Sequence, residues 1–237
     1  MALDIIGVLQ GGIERTVARN GLLFVGLFFA LGVLNTFVSI PLGGTPGTGP
    51  PADGAPFLAA AVGLLASLAS AIVFIAALRT FTSDETERIP REYATRNLVW
   101  ALLNLLIGGI IFVLVVGFGL VALVVPGLFL LVSLFFWNVF VVVEDQNFIE
   151  GFRNSWGLTS GHRLRLFGLG VLVFIVTVAV NFVFGIPLLI DPLVGSIITQ
   201  AGSAITTVFT IATIAAAYNR LTGFETVDEP ERTEPQI

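Results

Sequence analysis

Residues 144–170 carry a dense set of polar groups between two long apolar runs. The stretch holds three of the eleven arginines, the only histidine, one of the three tryptophans and three of the sixteen carboxylates. Arginine binds phosphate and carboxylate groups through several N–H donors, and tryptophan favours the boundary between lipid and water. The chemistry that these residue types predict is therefore anion or lipid-headgroup binding.

The same stretch does not contain a catalytic set. Its acid–base groups are Glu144, Asp145, Glu150 and His162, and each also suits a helix end or a solvated surface. Catalysis would require a nucleophile with its base, or paired carboxylates at one site. One histidine and no cysteine exclude multi-histidine and thiolate metal sites. We expect a protein that is not an enzyme and has no cofactor and no metal.

Within this stretch, residues 147–160 are predicted to form an amphipathic helix. Asn147 can cap its first turn while Glu150 returns a bond to the cap, and Gly161 can end it. One face is apolar and the opposite face is polar, as in helices that lie among lipid headgroups. The apolar face comprises Phe148, Ile149, Phe152 and Trp156, and the polar face comprises Glu150, Arg153 and Asn154.

Two interpretations of the basic residues remain open. In the first, aromatic and positive groups only anchor the chain at the membrane surface. In the second, they form a specific site for an anionic lipid, made by Arg153, Trp156, Arg163 and Arg165.

Composition places the chain in a bilayer. Of its 237 residues 56% are apolar and 11% charged, and the mean hydropathy is +0.98, well above values for globular proteins. Lysine is absent and the net charge is −5. This balance suggests a halophile with a GC-rich genome, although codon bias alone can remove lysine.

The elements that must position the polar stretch are long apolar runs. The predicted fold is all-α: a polytopic membrane helix bundle with six transmembrane helices and two interfacial amphipathic helices, forming one domain over residues 1–221. The interfacial helices are expected at 4–20 and 147–160, and a disordered acidic cytoplasmic tail at 222–237. The spans are predicted at about 21–40, 57–78, 97–117, 120–143, 166–186 and 193–218.

One run needs a turn inside it. Between Arg96 and Glu144 lie forty-seven residues without a charge, about 70 Å of helix and twice the length of one crossing. The turn is expected between 117–119 and Pro126-Gly127, where glycine and proline are available.

Arginine positions predict the orientation. With six crossings, all eleven arginines fall on one side, and the opposite loops carry only Asp53 and Asp191. Positive residues favour the cytoplasmic side. We therefore expect a multi-pass protein of the plasma membrane with both termini in the cytoplasm.

The sixth span carries a stripe of small, mostly hydroxylated residues. Such a stripe favours a packing seam between helices, because small side chains let backbones approach and hydroxyls bond across. The alternative is a polar pathway for a substrate. A second stripe on span two, at Ala59, Gly63, Ser67 and Ala71, is the expected partner. The first stripe comprises Ser196, Thr199, Ser203, Thr206, Thr210 and Thr213.

A motif on either side of the fourth span resembles a known superfamily. The pattern is a Pro-Gly before the span, an acidic residue at its end, then Ser-Trp and Thr-x-Gly. It resembles six-helix membrane proteins that include the YciC-like proteins and the membrane domain of some glycerophosphodiester phosphodiesterases. The matching residues are Pro126, Gly127, Glu144, Ser155, Trp156, Thr159 and Gly161.

The resemblance implies a role in membrane or lipid homeostasis, or as an accessory to another membrane protein. It implies no catalysis, since fused members carry their phosphodiesterase in a separate soluble domain. We expect a membrane-organising or lipid-associated protein whose partners are membrane lipids and another membrane protein, and not nucleic acid. The alternative is a transporter for a neutral or lipidic substrate. The sequence leaves the oligomeric state open.

Overall fold

A computed structural model of the chain describes residues 4–39, 55–83 and 95–223. These residues are helical, without a strand among them. The predicted acidic tail, most of the loop containing Asp53, and the polar stretch with Arg88 and Arg91 lie outside the described ranges. In chain order the helices are α1 (Ile5–Val17), α2 (Arg19–Ser39), α3 (Ala55–Thr82), α4 (Leu98–Ala122), α5 (Val124–Ser133), α6 (Trp137–Val143), α7 (Phe148–Thr159), α8 (Arg163–Gly185), a 3-10 turn (Ile186–Leu189) and α9 (Pro192–Thr222).

The prediction of an all-helical chain with six membrane-spanning candidates is confirmed over these residues. Six segments are long and apolar enough to cross a bilayer. They are Arg19–Phe37, Ala60–Thr82, Leu98–Ala122, Val124–Val143, Arg163–Leu189 and Pro192–Thr222.

Helix α9 lies at the centre of the bundle and packs against α1, α2, α3 and α8. Its buried face is built of small residues and β-branched side chains, which allow close approach of neighbouring helices. The apolar core around it includes Phe24 from α2, Ile75 and Leu78 from α3, and Phe136 from the fourth span.

The first helix packs against the bundle. It packs along the last three turns of α9 through Val8, Gly12 and Thr16, while Ile13 is exposed. A Cβ atom at Gly12 would lie 2.3 Å from Oγ1 of Thr213. Ile5 and Leu9 also pack against the apolar core, so α1 makes its contacts through both large and small residues.

The turn between the third and fourth spans falls inside the predicted window, at Leu123, which is extended between α4 and α5. Glycine does not break the helix there. A Cβ at Gly127 would lie 2.4 Å from the backbone nitrogen of Leu120, so this glycine allows α4 and α5 to approach. Pro126 occupies the first turn of α5, where a missing N–H costs nothing.

The fourth span is not one continuous helix. The helical hydrogen-bond pattern is interrupted between Ser133 and Trp137, which separates α5 from α6. Such a break leaves backbone groups without partners inside the helix, and in a membrane protein other groups must satisfy them.

Candidate functional site

Helix α7 folds back along α6. Its side chains form hydrogen bonds with backbone groups at the break in the fourth span. The Ser155 hydroxyl accepts a hydrogen bond from the Phe136 N–H (3.0 Å) and donates to the carbonyl oxygen of Ser133 (3.1 Å). The Thr159 hydroxyl donates to the same carbonyl oxygen (3.1 Å). Two residues of the family-like motif therefore complete the backbone of the span that precedes them.

The start of α7 is fixed by the predicted capping box. The Asn147 side chain accepts from the Glu150 N–H (2.9 Å), and the Glu150 carboxylate accepts from the Asn147 N–H (3.4 Å). From α4, the Asn104 side chain accepts from the Phe148 N–H (3.0 Å). At the far end the helix stops at Thr159, and Gly161 adopts a φ of +85°.

The packed face of α7 includes two residues of the predicted apolar face, Phe148 and Phe152, which lie against Leu134, Trp137 and Val141. Ser155 and Thr159 are fully buried, and a Cβ at Gly151 would lie 2.9 Å from the Trp137 carbonyl oxygen. By contrast, Ile149 is 65% exposed and Trp156 42% exposed. The small and hydroxylated residues reach the broken backbone, whereas Ile149 and Trp156 are left exposed.

A buried arginine network joins α3, α6 and the start of α4. The Arg79 side chain, 6% exposed, donates to the carbonyl oxygens of Val142 (2.7 Å) and Arg96 (2.7 Å) and pairs with Asp145 (3.3 Å). Arg96 also pairs with Asp145 through its Nε (2.9 Å). Asp145 has a φ of 54°, a conformation that Asp and Asn tolerate better than most residues.

A neighbouring pair of contacts ties α9 to the same region. The Tyr218 hydroxyl donates to Glu144, the acidic residue of the family-like motif. The Asn219 side chain donates to the Thr82 carbonyl oxygen (3.1 Å). These contacts give the polar layer a structural role. Asp145 is paired with Arg79 and Arg96, and Glu144 accepts from Tyr218.

Sequence reasoning missed this layer because Arg79 was placed outside the second span. The available signal was its position, directly after an apolar run and before further helix-compatible residues. No sequence pattern indicated that Asp145 would be its partner.

Two of the four residues that were predicted to bind lipid, Trp156 and Arg163, lie in contact with each other. The guanidinium of Arg163 lies against two aromatic rings, 4.7 Å from the Trp156 ring centroid and 4.6 Å from that of Phe129. The two rings meet edge to face at 5.4 Å. Such cation–π contacts hold a guanidinium in place without neutralising its charge. The Nε–H of Arg163 is buried and has no acceptor among the described residues.

The other two predicted residues are arranged differently. Arg153 is exposed on α7, three residues before Trp156, and therefore lies on the same side of that helix. Arg165 is exposed on α8, and two residues correspond to about 200° around a helix, so it lies on another face than Arg163. Phe129, which the sequence did not single out, completes the cluster.

An apolar cavity of about 520 Å³ lies beside this cluster, between α5, α8 and α9. Leu128, next to Phe129, and Leu166, one turn after Arg163, both line it. Its volume is in the range of about 300–1,000 Å³ typical of ligand sites. The lining also includes Leu131, Phe167, Gly170, Phe174, Thr177 and Thr210.

The hydroxyl stripe of α9 forms a seam with α8. Five of its six residues donate to carbonyl oxygens of α9 itself, at 2.7–3.0 Å. Across the seam, Asn181 of α8 donates to the Thr206 hydroxyl (3.2 Å) and accepts from Ser203 (3.2 Å). On α3, where the partner stripe was expected, a Cβ at Gly63 would meet nothing within 4 Å, so this glycine makes no close contact.

Comparison with known proteins gives one match. Residues 3–221 match a family described as a domain of unknown function (DUF7847). No curated protein and no solved structure matches the chain. The match covers the helical part of the chain from α1 to α9, and the chain therefore belongs to the DUF7847 family.

Proposed function

We propose that this protein is a non-enzymatic membrane protein that binds an anionic phospholipid. The headgroup phosphate lies at Arg163, and an acyl chain occupies the cavity between α5, α8 and α9. One observation carries the proposal. The Arg163 guanidinium is clamped by Phe129 and Trp156, has a buried donor without an acceptor among the described residues, and adjoins an apolar cavity.

The local electrostatics support an anionic headgroup. Arg163 is the first residue of α8, where backbone N–H groups are free and the helix dipole favours negative charge. Arg153 lies on the Trp156 side of α7 and can approach from α7 a phosphate that Arg163 approaches from α8. An acyl chain fits the cavity because its lining is almost entirely hydrocarbon.

The orientation belongs to the same proposal. The segregation of arginines supports a plasma-membrane protein with both termini in the cytoplasm. The pairing of Asp4 with Arg220 (3.6 Å) places the two helical ends of the chain together, as an even number of crossings requires. Arg163 would then face the cytoplasmic leaflet, where anionic lipids are concentrated.

We also propose a family relationship and a halophilic origin for this protein. The relationship to YciC-like proteins rests on the motif from Pro126 to Gly161 and implies a role in lipid homeostasis or as an accessory subunit. The halophilic origin rests on the absence of lysine and the net charge of −5.

Native mass spectrometry of the purified protein tests the headgroup assignment. We expect Arg163→Glu to abolish co-purified anionic phospholipid, because the clamped charge is reversed. Arg165→Glu is the matched control, with the same change of charge two residues away, and should retain the lipid. Equal retention in both variants, with unchanged gel-filtration profiles, would remove the proposal.

A further inference from the structure

A second cavity lies between α2, α3 and α9 and differs in character from the lipid cavity. Its volume is about 460 Å³, and it shares no lining residue with the first. Polar side chains from all three helices line it, and none of them is charged. They are Asn35, Ser67, Ser70, Gln200, Ser203 and Thr207.

The small residues of α2 and α3 create this space. Gly32 lets the Gln200 side chain lie against α2, since a Cβ there would be 2.5 Å from Oε1 of Gln200. From this position the Gln200 amide donates to the Thr36 hydroxyl (3.3 Å). On α3, Ala66, Ser67 and Ser70 are too short to reach α9 and leave the cavity unfilled.

Several of these polar groups have no hydrogen-bond partner in the part of the chain that the structure describes. The side chains of Asn35, Ser70 and Thr207 make no hydrogen bond with any other described residue. All three lie within segments able to cross a membrane. Amide and hydroxyl groups that face hydrocarbon without a partner are costly, so a polar occupant stabilises this arrangement and a lipid tail does not.

The lining also excludes an ionic occupant. Charged substrates and ions at membrane depth are met by ionisable side chains or by several converging carbonyl groups, and the cavity lining supplies neither. Amide and hydroxyl groups each both donate and accept hydrogen bonds. Their natural complement is a small neutral molecule dense in hydroxyl groups.

We propose that this cavity is a binding site for a small neutral polyol. The site is separate from the α8–α9 seam, whose hydroxyls are already bonded. Only Ser203 belongs to both: it bonds to Asn181 in the seam and also lines the cavity. If the protein is a transporter for a neutral substrate, the substrate would bind at the face of α9 that carries Gln200, Ser203 and Thr207. The site is also independent of the lipid site, because the two cavities have no residue in common.

Saturation-transfer NMR on the full chain in nanodiscs tests the site, with erythritol as the probe. The comparison compound is 1-butanol, which has the same number of carbon atoms but only one hydroxyl group. We expect erythritol, but not butanol, to receive saturation from the protein. Binding should weaken roughly tenfold in Asn35→Leu and in Gln200→Leu, since each removes one or two hydrogen bonds.

Thr222→Val is the control variant, because its hydroxyl bonds only within α9 and it lines neither cavity, and it should bind erythritol as the unaltered protein does. Ser70→Leu, whose larger side chain fills the cavity, should give the same loss and serves as a second variant if an amide variant does not fold. Absence of erythritol binding to the unaltered protein would show a cavity that holds water only and would overturn the proposal. Equal binding by all the variants would overturn it too.

Discussion

The hydroxyl of Ser155 donates a hydrogen bond to the carbonyl oxygen of Ser133, 3.1 Å away, across a break in the fourth span. The same oxygen accepts from Thr159, one turn later on α7. A Ser and a Thr four residues apart on one helix therefore hold the ends of two others. This relationship gives a physical reason for the Ser-Trp and Thr-x-Gly parts of the motif.

Replacing Ser155 by alanine should destabilise the protein by about 1–3 kcal/mol, because it leaves the buried Phe136 N–H without a partner. Ser160→Ala, at an exposed position just after α7, is the matched control and should have little effect. Detergent-induced unfolding followed by tryptophan fluorescence measures both. Identical unfolding midpoints would mean that the α7 hydroxyl does not support the break.

Replacing Arg79 by lysine should also destabilise the fold, although the charge is kept. A lysine ammonium cannot reproduce the planar fork that reaches two carbonyl oxygens and Asp145 at once. Arg153→Lys, on the exposed side of α7, should leave the unfolding midpoint unchanged.

A double-mutant cycle between Arg79→Lys and Asp145→Asn should show a coupling energy of about 0.5–3 kcal/mol. Strictly additive effects would show that the two residues do not act as a pair.

The orientation can be checked with single cysteines, since the chain has none of its own. Cysteines placed at Asp53 and Asp191 should react with an impermeant maleimide added outside intact cells. Cysteines at Ser83 and Ser160 should react only after permeabilisation. Protection of either aspartate position from external reagent would be incompatible with six crossings and cytoplasmic termini.

The sequence was most informative where the signal is local. The Asn147–Glu150 capping box and the turn at Leu123 follow from residues within a few positions of one another, and both are present. Helix lengths follow from uninterrupted apolar runs, whose extent is set by the bilayer.

The sequence was less informative about contacts between residues that are distant along the chain. Arg79 and Asp145 are sixty-six residues apart, and nothing in the periodicity of either segment indicates their contact. The contacts that small residues of α1 and α7 make were not predicted, for a related reason. In a bilayer large apolar residues can face lipid, so small residues such as Gly12 and Ser155 mark the protein contacts better than hydrophobicity does.

The proposed lipid site combines a local and a distant contribution. Trp156 and Arg163 lie close in sequence and were predicted together, whereas Phe129 comes from the fourth span and was found only in the folded chain. The apolar cavity could not be predicted, because three separate helices form it.

Photo-crosslinking with an anionic phospholipid that carries a diazirine in its acyl chain tests the central claim most directly. Peptide mapping should place the crosslinks on the cavity wall of α8, at Phe167 and Phe174, and on Leu131 of α5. Gly170→Leu should block them, since a side chain at Gly170 meets no atom within 4 Å and would enter the cavity. Gly157→Leu on α7, also unobstructed, should not. Crosslinks spread evenly over the spans, or unaffected by Gly170→Leu, would contradict a defined lipid site at Arg163.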